Sequence, residues 1–159
     1  MRAEQQVLST IGAESAAGAS LHVRVGELLG LSAGVATEVD LVDRLEAGLP
    51  ASAVQNLRAL VGLSAEEVYQ LISPRRTLNR REALHQRLSA EEADRAVRVA
   101  RIAARAQQVF SAKPAYAIEW LRTAKSSLGG RTPIALLASD AGARAVEELL
   151  LGIEYGQFG

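Results

Sequence analysis

Two near-identical segments constrain this chain more than anything else in it: Leu63-Ser64-Ala65-Glu66-Glu67-Val68 and Leu88-Ser89-Ala90-Glu91-Glu92-Ala93. Each is a helix-start signal with three parts. The Ser side chain accepts from an early backbone N–H. The Glu three residues on reaches back to the Ser N–H, and the preceding Leu packs against the residue after that Glu. These signals predict helices over residues 65–72 and 90–110. Ser73-Pro74 between them reads as a third start, with Ser as N-cap and Pro at the first helical position, where its missing N–H costs nothing.

The other segments follow the same logic. From residue 38, Val39, Val42 and Leu45 recur at helical spacing, and Gly48 stops that element. After Pro50, Val54, Leu57, Leu60 and Val61 form one face of a helix ended by Gly62. In 90–110, Ala93, Ala96, Val97, Ala100, Ala104 and Gln107 make one stripe, and Arg95, Arg98, Arg101 and Arg105 make another. Pro114 opens a helix with Ala117, Ile118 and Leu121 inward and Trp120 beside them; Leu128-Gly129-Gly130 is a turn. Thr132-Pro133 starts a short helix through Leu137, and Ser139 caps a last one whose inner face is Val146, Leu149, Leu150 and Ile153. Near the start, a short helix over 4–11 and a flexible link over 12–20 are expected, while residues 21–34 fit neither helical nor extended spacing well. No segment alternates convincingly, so the fold expected is all-α. A chain 48% hydrophobic but only 4% aromatic suits closely packed Ala, Leu and Val helices.

Net charge is zero, but the charges are segregated. Residues 1–70 carry four basic and nine acidic side chains, and residues 71–110 carry nine basic, all arginine, and four acidic. Local patches matter more than the total, because attraction is screened over roughly 8–10 Å at working salt. Residues 63–87 spell helix, very short turn, helix, and the second helix carries Arg75, Arg76, Arg80, Arg81 and Arg87. At 100° per residue Arg76, Arg80 and Arg87 share a face, with Leu78 opposite as an anchor toward Val68, Leu71 and Ile72. One anchor and a row of arginines suit a recognition helix in a major groove, with Thr77 and Asn79 as minor contributors. The competing reading is a solvated basic face, or one paired with the acidic N-terminal region.

Catalytic chemistry finds no foothold. Cysteine is absent, which excludes disulfides and thiolate metal sites and suits a cytoplasmic protein. No signal peptide and no membrane-length apolar run are visible. His22 and His85 have no evident carboxylate or nucleophile partner, and His85 reads as a surface or DNA-facing residue. Adjacent glutamates such as Glu66-Glu67 and Glu147-Glu148 diverge on a helix. Gly129-Gly130 is too short for a phosphate loop. No catalytic residue, metal or cofactor is expected.

The end of the chain is the second unusual feature. An apolar helix runs into Ile153-Glu154-Tyr155-Gly156-Gln157-Phe158-Gly159. Aromatics on such an end have little reason to exist unless something covers them. A contact surface for another protein is the expectation.

Ile72-Ser73-Pro74-Arg75-Arg76-Thr77-Leu78-Asn79-Arg80-Arg81 with Leu88–Arg95 resembles the DNA-binding half of Xre/MbcA/ParS-type antitoxins. Leu128-Gly129-Gly130-Arg131-Thr132-Pro133, Gly142, Val146 and Ile153-Glu154-Tyr155-Gly156 resemble their C-terminal toxin-binding domain. The likeness covers about residues 50–159, and its C-terminal motif is the more specific part. It implies a type II toxin–antitoxin module with a RES-domain, NAD-consuming toxin as partner and autorepression through operator DNA. Carried over residue by residue, Arg75, Arg76, Thr77, Arg80 and Arg81 would face DNA, and Glu154-Tyr155-Gly156 with the end after it, Gln157-Phe158-Gly159, would approach the toxin's active site. Asn79 is expected beside the DNA-facing arginines, and Trp120, Arg131 and Ile153 are expected among the toxin-binding residues.

The expected organisation is an N-terminal segment (1–37), a helix-turn-helix unit (38–88), and a spine helix plus toxin-binding unit (89–159). A homodimer is expected when bound to DNA or toxin. The alternative is a stand-alone helix-turn-helix repressor whose C-terminal half only dimerises.

Overall fold

A computed structural model describes residues 20–31, 34–111 and 113–157. The expected helix over 4–11 and link over 12–20 lie outside the described residues, save Ser20, and so do Phe158 and Gly159. Among the described residues the regular structure is helical, with two isolated β-bridges. The helices are α1 (Leu21–Leu28), α2 (Glu38–Ala47), α3 (Ser52–Val61), α4 (Ala65–Leu71), α5 (Arg75–Ala83), α6 (Ala90–Val109), α7 (Pro114–Arg122), a 3₁₀ turn (Ser126–Leu128), α8 (Pro133–Leu136) and α9 (Asp140–Glu154).

Both repeated start signals close as complete capping boxes: Ser64 with Glu67, and Ser89 with Glu92. Thr37 and Asp40 form a third at α2, and the Thr37 hydroxyl and backbone hold the Asp40 carboxyl below its ordinary range. Thr132 and Ser139 cap α8 and α9. Ser73 does not cap α5: Pro74 occupies the N-cap position with no side-chain bond, and the Ser73 hydroxyl turns inward.

The 20-residue α6 is the spine, with α1, α3, α4, α7 and α9 packed around it. Its inner stripe is wider than the pattern implied. Val99, Ile102, Ala103 and Ala106 are buried as well as the expected alanines and Val97. Small side chains let neighbouring helices approach closely from several sides, so burial is not confined to one stripe.

The segment after residue 20 settles as α1 because Val25, Leu28 and Leu29 all reach the core. In α2 the buried residue is Leu41, while Val39 is 66% and Val42 42% exposed. Val39-Val42-Leu45 and Leu41-Leu45 both satisfy helical spacing; the bulkier leucines take the inside. Leu60 of α3, expected inward, is 49% exposed, while Val54, Leu57 and Val61 are buried.

Candidate DNA- and partner-binding surfaces

The α4–turn–α5 hairpin is built around Leu78, which is 1% exposed and shares the buried core with Val68, Leu71 and Ile72. The turn is fastened to the spine by one carboxylate. Ser73 Oγ donates to Glu92 Oε1 at 3.1 Å, and Glu92 Oε2 accepts the Ser89 N–H at 2.9 Å. The same Oε2 lies 2.7 Å from Arg81 Nε. That contact is an ion pair whose direction does not make a hydrogen bond from Nε. Arg81 Nη1 donates to the Arg87 carbonyl at 3.1 Å.

Arg81 is therefore not DNA-facing as expected. Its charge is committed to holding α5 against α6. Arg87 is also displaced from the expected face: α5 ends at Ala83, and the Arg87 guanidinium donates to the carbonyls of Ala47 and Gly48 at 2.7 Å each. His85 closes α5 with φ of 51°, while Gln86 N–H reaches Arg81 O at 2.8 Å.

What remains outward is a smaller set. Arg75, Arg76, Asn79 and Arg80 are exposed and Thr77 is half-buried. The three exposed arginines make no ion pair among the described residues. Arg76, Asn79 and Arg80 fall on one face at helical spacing, and Arg75 flanks them. With no side chain capping α5, its first N–H groups are open as well.

The second unit is joined to the first by a clasp that the sequence reading missed. Arg122 at the end of α7 donates to both oxygens of Glu67, at 2.7 and 2.8 Å, and to the Gly62 carbonyl. These hydrogen bonds hold the Glu67 carboxyl below its ordinary range and raise the Arg122 guanidinium. The signal lay in the repeat itself. In both start segments the capping Glu also holds an arginine, Glu67 taking Arg122 and Glu92 taking Arg81.

Trp120 is corrected from a toxin-facing residue to a core residue. It is 5% exposed, packed 5.7 Å from the Phe110 ring, with Lys125 Nζ 5.0 Å above it. Arg131 is exposed at the Gly129-Gly130 turn. There its carbonyl accepts from Lys125 N–H at 3.1 Å.

Glu154, Tyr155, Gly156 and Gln157 are exposed, Tyr155 at 72%, and Ile153 is half-buried. Gly156 has a helix-ending role: its φ is 67°, its N–H meets Ile153 O at 3.1 Å, and Gln157 N–H meets Gly152 O at 2.8 Å. Arg131 borders the first turn of α9, beside Ser139 and Ala141. Tyr155 follows the last turn, roughly 20 Å away at 1.5 Å per residue. The structure thus does not bring Arg131 and Tyr155 together.

Among the described residues no group of His, Asp or Glu could hold a metal ion, and no helix is long and apolar enough to cross a membrane. Two helical units meet on one spine, and the first is a helix-turn-helix, which places the chain among helix-turn-helix proteins with a second helical domain. Residues 40–101 match the antitoxin Xre-like helix-turn-helix domain, and residues 105–156 match the antitoxin Xre/MbcA/ParS C-terminal toxin-binding domain. An "Antitoxin Xre" of Yersinia enterocolitica is 30% identical over 119 residues, covering 74% of this chain and 80% of that protein. An "Antitoxin Xre" of Pseudomonas putida is 34% identical over 122 residues, covering 77% and 76%. The chain belongs to the Xre antitoxin family, with a toxin as its protein partner.

Proposed function

We propose that this antitoxin neutralises a RES-domain, NAD-consuming toxin through its C-terminal unit and represses its own operon through α5. The organisation proposed is the helix-turn-helix over 38–88 and the spine with its toxin-binding unit over 89–159. The observation that carries the reading is a division of labour. The unpaired arginines of α5 and the exposed Glu154-Tyr155 end belong to different units, so the two partners meet different surfaces. Arg75, Arg76 and Arg80 suit phosphates and guanine edges, with Asn79 and Thr77 beside them. At the other end, Tyr155 offers an aromatic anchor. Glu154 beside it offers a carboxylate that pairs with arginines of a pocket shaped for NAD phosphates. Two chains pair on the operator, because one short helix reads few base pairs.

The test uses two variants beside the co-expressed toxin. Deleting residues 154–159 should leave operator binding intact and make the toxin lethal. The double substitution Arg76→Ala, Arg80→Ala should derepress the operon and still protect the cell. Rescue of growth and NAD by the truncated chain would sink the toxin role of the end and leave it a dimer contact.

A further inference from the structure

The hairpin that carries α5 is held unevenly by packing. In α4 the buried side chains are Val68 and Leu71, both in its second half, while Glu66 in its first turn is exposed. The helix is only about 10 Å long at 1.5 Å per residue, so its apolar anchors sit toward the turn and Leu78. Ahead of them the chain leaves α3 through Gly62, at φ of 74°. Within its own unit this end is tied by the buried Leu63 and by Arg58 Nε, which donates to the Leu63 carbonyl at 3.3 Å.

The charged tie at this end comes from the other unit. Arg122 donates to both oxygens of Glu67 and to the Gly62 carbonyl, so one guanidinium spans the turn between α3 and α4. A two-point contact between guanidinium and carboxylate fixes direction as well as distance. Arg122 is itself firmly placed, because Ala117, Trp120 and Leu121 of α7 are buried. At the other end of the hairpin, Ser73 and Arg81 meet Glu92 of the spine. The hairpin thus has two pins, each built on the capping glutamate of a helix start. One holds α5 to the spine, and the other holds α4 to α7.

Two pins define an angle that one pin leaves free. We propose that Arg122 is a positioning residue for operator recognition: from the toxin-binding unit it holds α4, and through α4 the angle at which α5 meets base edges. The proposal rests on the reading of α5 as the DNA-reading helix. It adds that the helix-turn-helix does not read its operator autonomously. Hydrogen bonds to base edges weaken steeply when donor and acceptor are misaligned. Attraction to phosphates is independent of sequence and tolerates a shifted helix. Release of α4 therefore costs discrimination between DNA sequences, not general attraction to DNA.

The test measures binding of the full chain to the DNA upstream of its own reading frame and to a scrambled fragment of equal length. It is run well below the melting transition, so that every variant is folded. Arg122→Ala should weaken the upstream complex roughly fivefold, the most that an ion pair of this exposure can hold in place. The scrambled complex and the salt slope should not change. Arg122→Lys should recover part of the loss. Glu67→Gln should shift binding in the same direction, and Glu67→Gln with Arg122→Ala should be no worse than Arg122→Ala alone. Upstream binding unchanged in Arg122→Ala overturns the positioning role and leaves the clasp structural only. A loss on both fragments with a flatter salt slope also overturns it, and makes Arg122 a phosphate contact. Arg76→Ala with Arg80→Ala runs alongside. If that variant binds the upstream fragment as wild type does, the reading of α5 fails and takes this role with it. If it binds weakly and Arg122→Ala binds normally, the positioning role alone fails.

Discussion

Arg81 Nε lies 2.7 Å from Glu92 Oε2 across the joint between the second helix of the helix-turn-helix and the spine, with side chains only 19% and 7% exposed. One carboxylate thus caps α6, receives the Ser73 hydroxyl of the turn and neutralises an arginine. The angle of α5, the helix proposed to meet DNA, is set by a residue of the helix that also carries the toxin-binding unit. Glu92→Ala should destabilise the fold by about 3–5 kcal/mol, the usual consequence of leaving a buried charge unpaired, with a lost cap included. Urea midpoints for Glu92→Ala, and for Glu92→Gln, which keeps one acceptor oxygen but drops the charge, measure it. A loss below about 1 kcal/mol for both would show that the joint is held by packing alone.

The same geometry separates arginines that look alike in sequence. Arg76→Ala with Arg80→Ala should leave helicity unchanged and weaken operator binding by about 2 kcal/mol or more, since each base contact is worth about 1–3 kcal/mol. Where one of them meets phosphate instead, the salt dependence of binding should flatten by about one charge. Arg81→Ala should behave oppositely, lowering the urea midpoint first. Gel shifts across a salt series, set beside denaturation curves, decide between contact and scaffold.

The Glu67–Arg122 clasp predicts a pH signature. The folded-state pKa of Glu67 is depressed. Its stabilisation is therefore fully present above the ordinary glutamate pKa and is lost as pH falls through the lower folded value. The side chains are 22% and 37% exposed, so solvent limits the pair to about 1 kcal/mol. The difference in urea midpoint between wild type and Arg122→Ala should stay level through neutral pH and shrink once pH drops below the ordinary glutamate range. What remains reports the pH-independent bond from Arg122 to the Gly62 carbonyl. A gap that widens in acid would contradict the clasp.

Gly142 should tolerate no side chain. A Cβ there would sit 2.0 Å from the Leu136 carbonyl oxygen, which belongs to backbone and cannot swing away. Gly142→Ala should push α9 off α8 and destabilise the chain by about 1–3 kcal/mol or more. Toxin binding should fall before operator binding does, as comparison of neutralisation with gel shifts would show. Gly129 and Gly130 have open space around them and positive φ of 68° and 75°. Alanine there should strain only the turn, by about 1–2 kcal/mol.

Which of these features could be read beforehand depends on how local their causes are. Capping is settled within four residues, so Ser64, Ser89, Thr132 and Ser139 declare their helices directly. Ser73 looks the same in sequence, yet its hydroxyl answers to Glu92, nineteen positions away. The neighbours Arg80 and Arg81 are indistinguishable by composition; only the long-range carboxylate divides them into a free cation and a structural one. Trp120 was open to misassignment because an aromatic suits a partner surface and a core equally well. Its inward side is decided by Phe110 and Lys125, which arrive from different elements. Val39 and Val42 lost the inside of α2 to Leu41 for a similar reason: a short helix can satisfy two apolar faces, and only its neighbours choose.

His85 is the one described non-glycine residue with positive φ, at 51°, and it performs the task glycine usually takes at a helix end. The left-handed conformation costs roughly 1–2 kcal/mol for a residue with a Cβ, while glycine brings back about 0.5–1 kcal/mol of unfolded-state entropy. The side chain is exposed. The closing bonds, His85 N–H to Glu82 O at 3.2 Å and Gln86 N–H to Arg81 O at 2.8 Å, are backbone only and survive the change. His85→Gly should therefore raise stability, by about 0.5–1 kcal/mol. The position also sits just past the arginine helix, beside Pro50, Ser52 and Gln55. If the imidazole contacts operator DNA, the same variant should bind the operator more weakly while melting at a higher temperature, the pattern of strain retained for function. A variant that melts lower than wild type would show that the histidine side chain makes a stabilising contact larger than the strain it imposes.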